Sequence, residues 1–162
     1  MTLQLGSPIA LATDHVSDQF ACGEASLDEW LKRRAISNQL TGASRTFVVA
    51  NPEKRVYGYY ALAAGVVSHQ LAGGAVRRKM PDPIPVMVLA RLAVDQRAQG
   101  IKLGAALLQD AINWVVAVAQ NAGVRALAVH TLHERAKRFY ELYGFQSSRL
   151  DAMVLLVRLQ NR

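Results

Sequence analysis

Three groups of residues have the types and spacing to do chemistry. The first is Gln99-Gly-Ile-Lys-Leu-Gly104, between a strongly apolar run and a long amphipathic one. Glycines at a strand-to-helix turn let backbone N–H groups point outward, and the helix N-terminus adds partial positive charge, so such a turn can hold phosphate. Lys102 and Arg97 would add charge. From the glycines alone, an ordinary strand–turn–helix connection is the better reading, because short Gly motifs have many false matches. No Gly-Lys-Ser/Thr follows, so it is not a Walker motif, and no G-x-G-x-x-G is present. The second group is Phe139-Tyr140 with Tyr143, Gly144 and Phe145. A phenol near pKa ~10 can donate a proton to a departing anion. A tyrosine pair at i, i+3 serves equally well as core aromatics. The third is Arg77-Arg78-Lys79, in a stretch with no acidic residue from Arg55 through Pro81. It reads either as a solvated charged loop or as a contact for phosphate.

Other candidates are weaker. Lys32, Arg33 and Arg34 have Asp28 and Glu29 about one turn away as pairing partners. Arg91 stands alone among apolar residues, and an isolated buried charge is costly, so the exposed end of a strand is expected for it. His15, His69, His130 and His133 show no metal-ligand spacing with carboxylates or with Cys22, and no metal is expected. Cys22 has no His or Asp in a nucleophile context and reads as a small packed residue.

These residues must be positioned by some framework, and the composition bounds it. The chain has 162 residues, 51% hydrophobic and 19% charged, which suits one globular domain over residues 1–162. A single cysteine excludes an internal disulfide framework and a multi-Cys zinc site. No apolar run approaches the ~18 residues of a membrane span, and no signal-peptide pattern opens the chain, so a cytoplasmic protein without a membrane role is expected. The formal charge of +7 favours a polyanionic partner or a phosphate-rich cofactor.

Periodicity then supplies the elements. A short strand is expected over 9–12. A helix is expected over 27–40, with Ser26 as N-cap, Glu29 reaching back, and Leu27, Leu31, Ala35 and Leu40 near one face beside Trp30. Gly42 stops it. Strands over 46–50 and 56–67 flank the turn Asn51-Pro-Glu-Lys54 as a hairpin. After a Gly73-Gly74 loop, Pro81, Pro83 and Pro85 keep the chain extended. A strand over 86–94, a helix over 105–121, a strand over 124–130, a helix over 133–143 closed by Gly144 and a strand over 153–159 complete the order. The fold class is mixed α/β (α+β): a central mixed sheet of about six or seven strands with helices on both faces.

The turn at 99–104 followed by Ala136-Lys-Arg-Phe-Tyr-Glu-Leu-Tyr-Gly-Phe145 resembles the GNAT acetyltransferase superfamily. There a Gln/Arg-x-x-Gly-x-Gly/Ala turn cradles the pyrophosphate of acetyl-CoA. Lys102 stands where the family usually has its middle glycine. The likeness extends over nearly the whole chain. Phe20-Ala-Cys-Gly-Glu-Ala-Ser-Leu-Asp-Glu-Trp-Leu31, Gly58-Tyr-Tyr-Ala-Leu62, Pro83-Ile-Pro-Val86 and Leu89-Ala-Arg-Leu-Ala-Val-Asp95 resemble the toxin branch of bacterial type II toxin–antitoxin pairs.

That resemblance implies an acetyl-CoA-dependent toxin that acetylates the α-amine of aminoacyl-tRNA and blocks translation. It further implies a homodimer held inactive by a ribbon-helix-helix antitoxin. The family spacing selects Tyr140 over Tyr143 as proton donor to the CoA thiolate. It implies cofactor contacts from Leu92, Ala93, Val94, Gln99, Gly100, Ile101, Lys102, Leu103, Gly104, Ala105 and Phe139. A backbone N–H near Ala93 or Val94 would be the oxyanion donor, and His133 would cap the last helix or touch the cofactor. For tRNA the candidates are Arg77, Arg78, Lys79, Arg91, Lys32 and Arg33. The chemistry is self-consistent. An α-amine near pKa ~7.7–8.0 is substantially neutral without a dedicated base, and residues 86–94 contain no Glu or Asp. The alternatives are a GNAT enzyme for a small amine or a protein N-terminus, and a non-catalytic basic nucleic-acid-binding regulator.

Overall fold

A computed structural model describes residues 3–159. The elements run β1 (Ile9–Ala10), α1 (Ala25–Arg33), α2 (Ala35–Thr41), β2 (Arg45–Ala50), β3 (Val56–Val67), α3 (Gly74–Arg77), β4 (Ile84–Val94), α4 (Leu103–Ala119), β5 (Ala126–His130), α5 (Glu134–Leu142), β6 (Gln146–Ser147) and β7 (Val154–Arg158). The strands form one seven-stranded sheet in the order β1-β2-β3-β4-β5-β7-β6. β4 and β5 pair in parallel, with Val86 opposite Ala126 and Leu89 opposite Val129. Parallel neighbours need a crossover connection, and α4 is that connection. No helix among the described residues is long and apolar enough to cross a membrane. The chain divides into two compact units: Met1–Ala63 with Arg91–Ala111, and Ala64–Ala90 with Ile112–Arg162.

In the first unit, β2 and β3 form the expected hairpin, Phe47 facing Tyr60 and Val48 facing Tyr59. Its core gathers Phe20, Trp30, Leu31, Ala35, Val48 and Tyr59. Tyr59 stacks on Trp30 with centroids 6.0 Å apart and donates its hydroxyl to the Leu27 carbonyl at 2.8 Å. The expected single helix over 27–40 is instead two, broken at Arg34 (φ −120, ψ −28). Gln39 gives the physical reason. Its Nε2 donates to the Leu11 carbonyl at 2.7 Å and its Oε1 accepts the Thr46 N–H at 3.0 Å, satisfying backbone groups beyond the short β1 ladder. Turning α2 to aim Gln39 there leaves Leu40 79% exposed. The expected capping box is also absent. Glu24 is the N-cap, without a side-chain cap bond, and Ser26 lies inside α1. Asp28 instead accepts the Cys22 N–H at 2.9 Å, which ties down the preceding loop. Gly42 ends α2 in the left-handed region (φ 82), as expected.

The first turns of α4 lie close on β3. A Cβ built on Gly58 would meet Leu107 Cδ1 at 3.0 Å and Leu103 Cδ2 at 3.1 Å. One turn further along, Asp110 accepts a short hydrogen bond from the Tyr60 hydroxyl. This helix begins at Leu103 and ends at Ala119, two residues ahead of the expected span at each end.

In the second unit a small core of Ala72, Val76, Ile84, Val86, Ala126, Ala128 and Leu156 packs around β5 and β7. Three elements here differ from expectation. The Gly73-Gly74 loop opens a four-residue helix, α3. β4 already starts at Ile84, between two prolines. β6 is an additional two-residue strand on β7, and the segment after it is held by Ser148, whose hydroxyl donates to the Leu71 carbonyl at 2.7 Å.

Close packing of α4 on Gly58 predicts the outcome of Gly58→Val. Overfilling a packed contact costs about 1–3 kcal/mol. Chemical denaturation is expected to show a lowered midpoint at unchanged slope.

Candidate functional site

Strand β4 ends at Val94, and Asp95 begins the turn that leads into α4. Asp95 is 1% exposed and is the most heavily used side chain of the connection. Its Oδ1 accepts the Arg97 N–H at 2.8 Å and Arg97 Nε at 2.9 Å; its Oδ2 accepts Arg97 Nη2 at 3.0 Å and the Ala21 N–H at 3.1 Å. Burial alone would push this carboxyl up, but the hydrogen bonds from Arg97 and Ala21 outweigh it and hold the pKa below its usual value. Arg97 also lies over the Tyr57 ring, 4.8 Å from its centroid. A single 3-10 turn over Gln96–Ala98 results, which the sequence reading had as plain turn.

Gln99, the first motif residue, is a clip. Its Nε2 donates to the carbonyls of Cys22 and Val94, both at 3.1 Å. With the Gln96 N–H bonded to the Ala21 carbonyl at 2.8 Å, the segment around Cys22 is fastened to the turn. Burial pushes the Cys22 thiol up to about 12, which fits a packing role rather than a nucleophile.

Gly100 has φ 84 and Lys102 φ 62. Lys102 therefore adopts the left-handed conformation that a glycine at this motif position would take, at a strain of about 1 kcal/mol. The Lys102 side chain is exposed. At the start of α4 the Ala106 N–H donates to the Lys102 carbonyl at 3.2 Å. The N–H groups of Leu103, Gly104 and Ala105 precede it and point along the helix toward its positive end. Ile101 is 59% exposed beside them. Leu92, Ala93 and Val94 are the last three residues of β4 before Asp95. This turn has the backbone donors and the cation that a pyrophosphate needs.

In the second unit, His133 is the N-cap of α5 and its Nδ1 accepts the Ala136 N–H at 3.1 Å, fulfilling the capping half of its expected role. Tyr140 is buried, with edge-on contacts to Phe139 at 5.1 Å and Phe145 at 5.4 Å. Burial pushes its phenol well above the ordinary value, so it is a protonated donor at neutral pH. Tyr143 is 46% exposed. The two phenols expected to differ in role thus differ in environment.

The basic candidates separate. Arg78 and Lys79 are exposed and Arg77 ends α3. Lys32 is exposed, whereas Arg33 is engaged with Glu29 at 2.7 Å. Arg91 does not sit at an exposed strand end. It lies within β4, half-buried, its guanidinium 4.6 Å from the Trp30 ring centroid. The face of an indole stabilises a cation there, so burial is tolerated without a strand end. What the sequence missed is the Asp95–Arg97–Ala21 network. Asp95 ends the run Leu89-Ala-Arg-Leu-Ala-Val-Asp95, but nothing in the spacing reveals a partner at Ala21.

Comparison with known proteins adds three findings. Residues 43–147 match the acetyltransferase (GNAT) domain. The chain is 47% identical over 142 residues to the tRNA-acetylating toxin of Mycobacterium tuberculosis, covering 88% of this chain and 85% of that protein. Among solved structures it is similar to AtaT complexed with acetyl-methionyl-tRNAfMet (28% identity, 96% and 95% of the chains, TM-score 0.88). It is also similar to an AtaT variant bound to the C-terminus of the antitoxin AtaR and acetyl-CoA (27%, 96% and 93%, TM-score 0.83).

Hydrogen bonds to a charged group contribute about 1.5–3 kcal/mol. Asp95→Asn is therefore expected to cost on the order of 2 kcal/mol at neutral pH. Because the folded pKa is depressed, that contribution is present above the unfolded carboxylate value of ~3.9 and is lost as pH falls through the folded value. The stability gap between parent and variant, followed by denaturant melts against pH, should close only on the acid side.

Proposed function

The chain belongs to the GNAT acetyltransferase family, and on that premise we propose that it transfers the acetyl group of acetyl-CoA to the α-amine of aminoacyl-tRNA, as a translation-blocking toxin. The observation that carries the reading is the turn ahead of α4, where Gly100 and Lys102 both hold positive φ. Lys102 holds a left-handed conformation of the kind glycine favours, so the residue in place of the usual motif glycine still lets the turn lead into α4. The 47% identical relative is named for tRNA acetylation, which favours that acceptor over a small amine.

Acetyl-CoA supplies a thioester-activated acyl group. Backbone N–H groups of Gly100 through Ala105 and the Lys102 ammonium hold its pyrophosphate, with Leu92, Ala93, Val94, Gln99 and Phe139 completing the contact set. A backbone N–H of Ala93 or Val94 stabilises charge on the acyl oxygen. A sizeable fraction of the aminoacyl α-amine, with its pKa at ~7.7–8.0, is neutral near physiological pH, far more than of a lysine amine at ~10.4, so attack needs no carboxylate base. As the C–N bond forms and the C–S bond breaks, Tyr140 donates its hydroxyl proton to the departing thiolate, and the proton shed by the attacking amine restores the phenol by way of solvent. Arg77, Arg78, Lys79 and Lys32 meet tRNA phosphates. The protein works as one domain over residues 1–162, in the cytoplasm where charged tRNA is found, as a homodimer neutralised by a ribbon-helix-helix antitoxin. The AtaT complex with AtaR supports an antitoxin partner.

Incubation with bulk charged tRNA and labelled acetyl-CoA tests the reading directly. An N-acetylated amino acid released from tRNA is expected, and labelling of free amines or protein alone would overturn it.

Tyr140→Phe is expected to lower kcat by 10²–10⁴-fold with KM for acetyl-CoA roughly constant. Tyr143→Phe should be nearly silent. A Tyr140→Phe enzyme above about a tenth of parental kcat would assign the leaving group to water or another residue. Lys102→Gly is expected to weaken acetyl-CoA binding in calorimetry while the melting temperature holds or rises, since charge is lost and backbone strain relieved.

A further inference from the structure

The net charge is unevenly shared. Met1–Ala63 with Arg91–Ala111 holds nine Lys/Arg and eight Asp/Glu; Ala64–Ala90 with Ile112–Arg162 holds ten and four. Pairing follows the same division. Among the described residues the ion pairs Arg33–Glu29, Lys54–Asp14, Arg55–Asp18 and Arg97–Asp95 all lie in the first unit.

In the second unit Arg125 does something else with its charge. Its Nε donates to the Val76 carbonyl at 3.0 Å, and its Nη2 to those of Ala75 at 3.1 Å and Arg78 at 3.2 Å. These carbonyls close α3, where helical partners run out and a cation is favourable. Arg125 therefore fixes the backbone that carries Arg77, Arg78 and Lys79. On its other side, the Leu159 N–H bonds to the Arg125 carbonyl at 3.1 Å, and Arg158 pairs with Ala126 in the β5–β7 register. Arg78 and Arg158 are exposed. Burial, then the charges of Arg158 and Arg78, push the Arg125 guanidinium below its usual value. Arg78, whose carbonyl Arg125 bonds, and Arg158, in register with the next residue of β5, both border Arg125, and none of the three has a carboxylate partner among the described residues. Their mutual repulsion is relieved by an anion, and backbone phosphates are the anions that arginine forks fit best.

We propose that Arg78, Arg125 and Arg158 form a surface for the RNA phosphate backbone, Arg78 and Arg158 contacting phosphate and Arg125 positioning the end of α3. The inference rests on the aminoacyl-tRNA reading and adds Arg125 and Arg158 to it.

The test uses the full chain and bulk deacylated tRNA, with binding followed by fluorescence anisotropy across a salt series. Arg158→Gln and Arg78→Gln should each weaken binding several-fold. Each should also reduce the slope of log K against log salt by about 0.7–0.9, the value for one lost phosphate contact. The melting temperature and acetyl-CoA affinity should stay at parental values. Arg125→Lys keeps the charge but not the three-carbonyl fork, and should weaken tRNA binding with the parental fold retained. Parental affinity in Arg125→Lys would remove it from the surface. An unchanged salt slope in Arg158→Gln would overturn the proposal, as would loss of poly-L-glutamate binding with tRNA binding intact, which would assign the surface to an acidic protein. A parent protein that fails to acetylate charged tRNA overturns both readings; acetylation by the parent with an unaffected Arg158→Gln overturns the surface alone.

Discussion

The buried, ionised carboxylate of Asp95 sits at the junction between strand β4 and the turn that follows it. A charge taken out of water must be met by several donors, or the carboxyl takes up a proton instead. Here the donors are two backbone N–H groups and the guanidinium of Arg97. Meeting that demand dictates where the chain goes. It closes the 3-10 turn, draws the segment around Ala21 against the end of β4, and delivers Gln99 to the carbonyls of Cys22 and Val94. The start of α4 follows from there, and with it the direction of the N–H groups of Leu103, Gly104 and Ala105.

A helix dipole is useful to a ligand only when the helix is held still. The close approach of Leu103 and Leu107 to Gly58 fixes the distance of α4 from β3, and the Tyr60–Asp110 bond fixes its rotation. Preorganised backbone donors need no rearrangement when the ligand arrives, which is how rigid scaffolds support sites of this kind. Lys102 shows how much the framework constrains the turn. A residue with a Cβ is held at φ 62, and the surroundings, not its own preference, decide that conformation.

Much of this was legible in the sequence, for reasons that differ by element. The hairpin of β2 and β3, the αL stop at Gly42 and the aromatic close of α5 rest on local patterns of alternation, glycine and aromatics, and these survive in the fold. The turn at Gln99 and the choice of Tyr140 came from motif likeness; the structure buries Tyr140 and leaves Tyr143 half exposed. What was illegible depends on partners distant in the chain. The break at Arg34 serves Gln39, whose partners are Leu11 and Thr46. The capping box failed because α1 already starts at Ala25, ahead of Ser26, and Glu29 pairs with Arg33. Arg91 was misplaced because its partner, Trp30, lies on another element. Helix α3 is too short for periodicity to reveal, and its carbonyls are closed by Arg125, far along the chain.

Cys22 has a consequence for redox behaviour. Its carbonyl receives the Gln99 clip, and its thiol donates to the Glu24 carbonyl at 3.5 Å. Burial pushes the thiol up to about 12, so the nucleophilic thiolate is scarce at neutral pH. Peroxides and disulfides react with thiolates, so this sulfur is a slow target despite its partial exposure. The segment that the Gln99 clip fastens to the turn thus carries a cysteine far less reactive toward oxidants than an activated thiol in the same place would be.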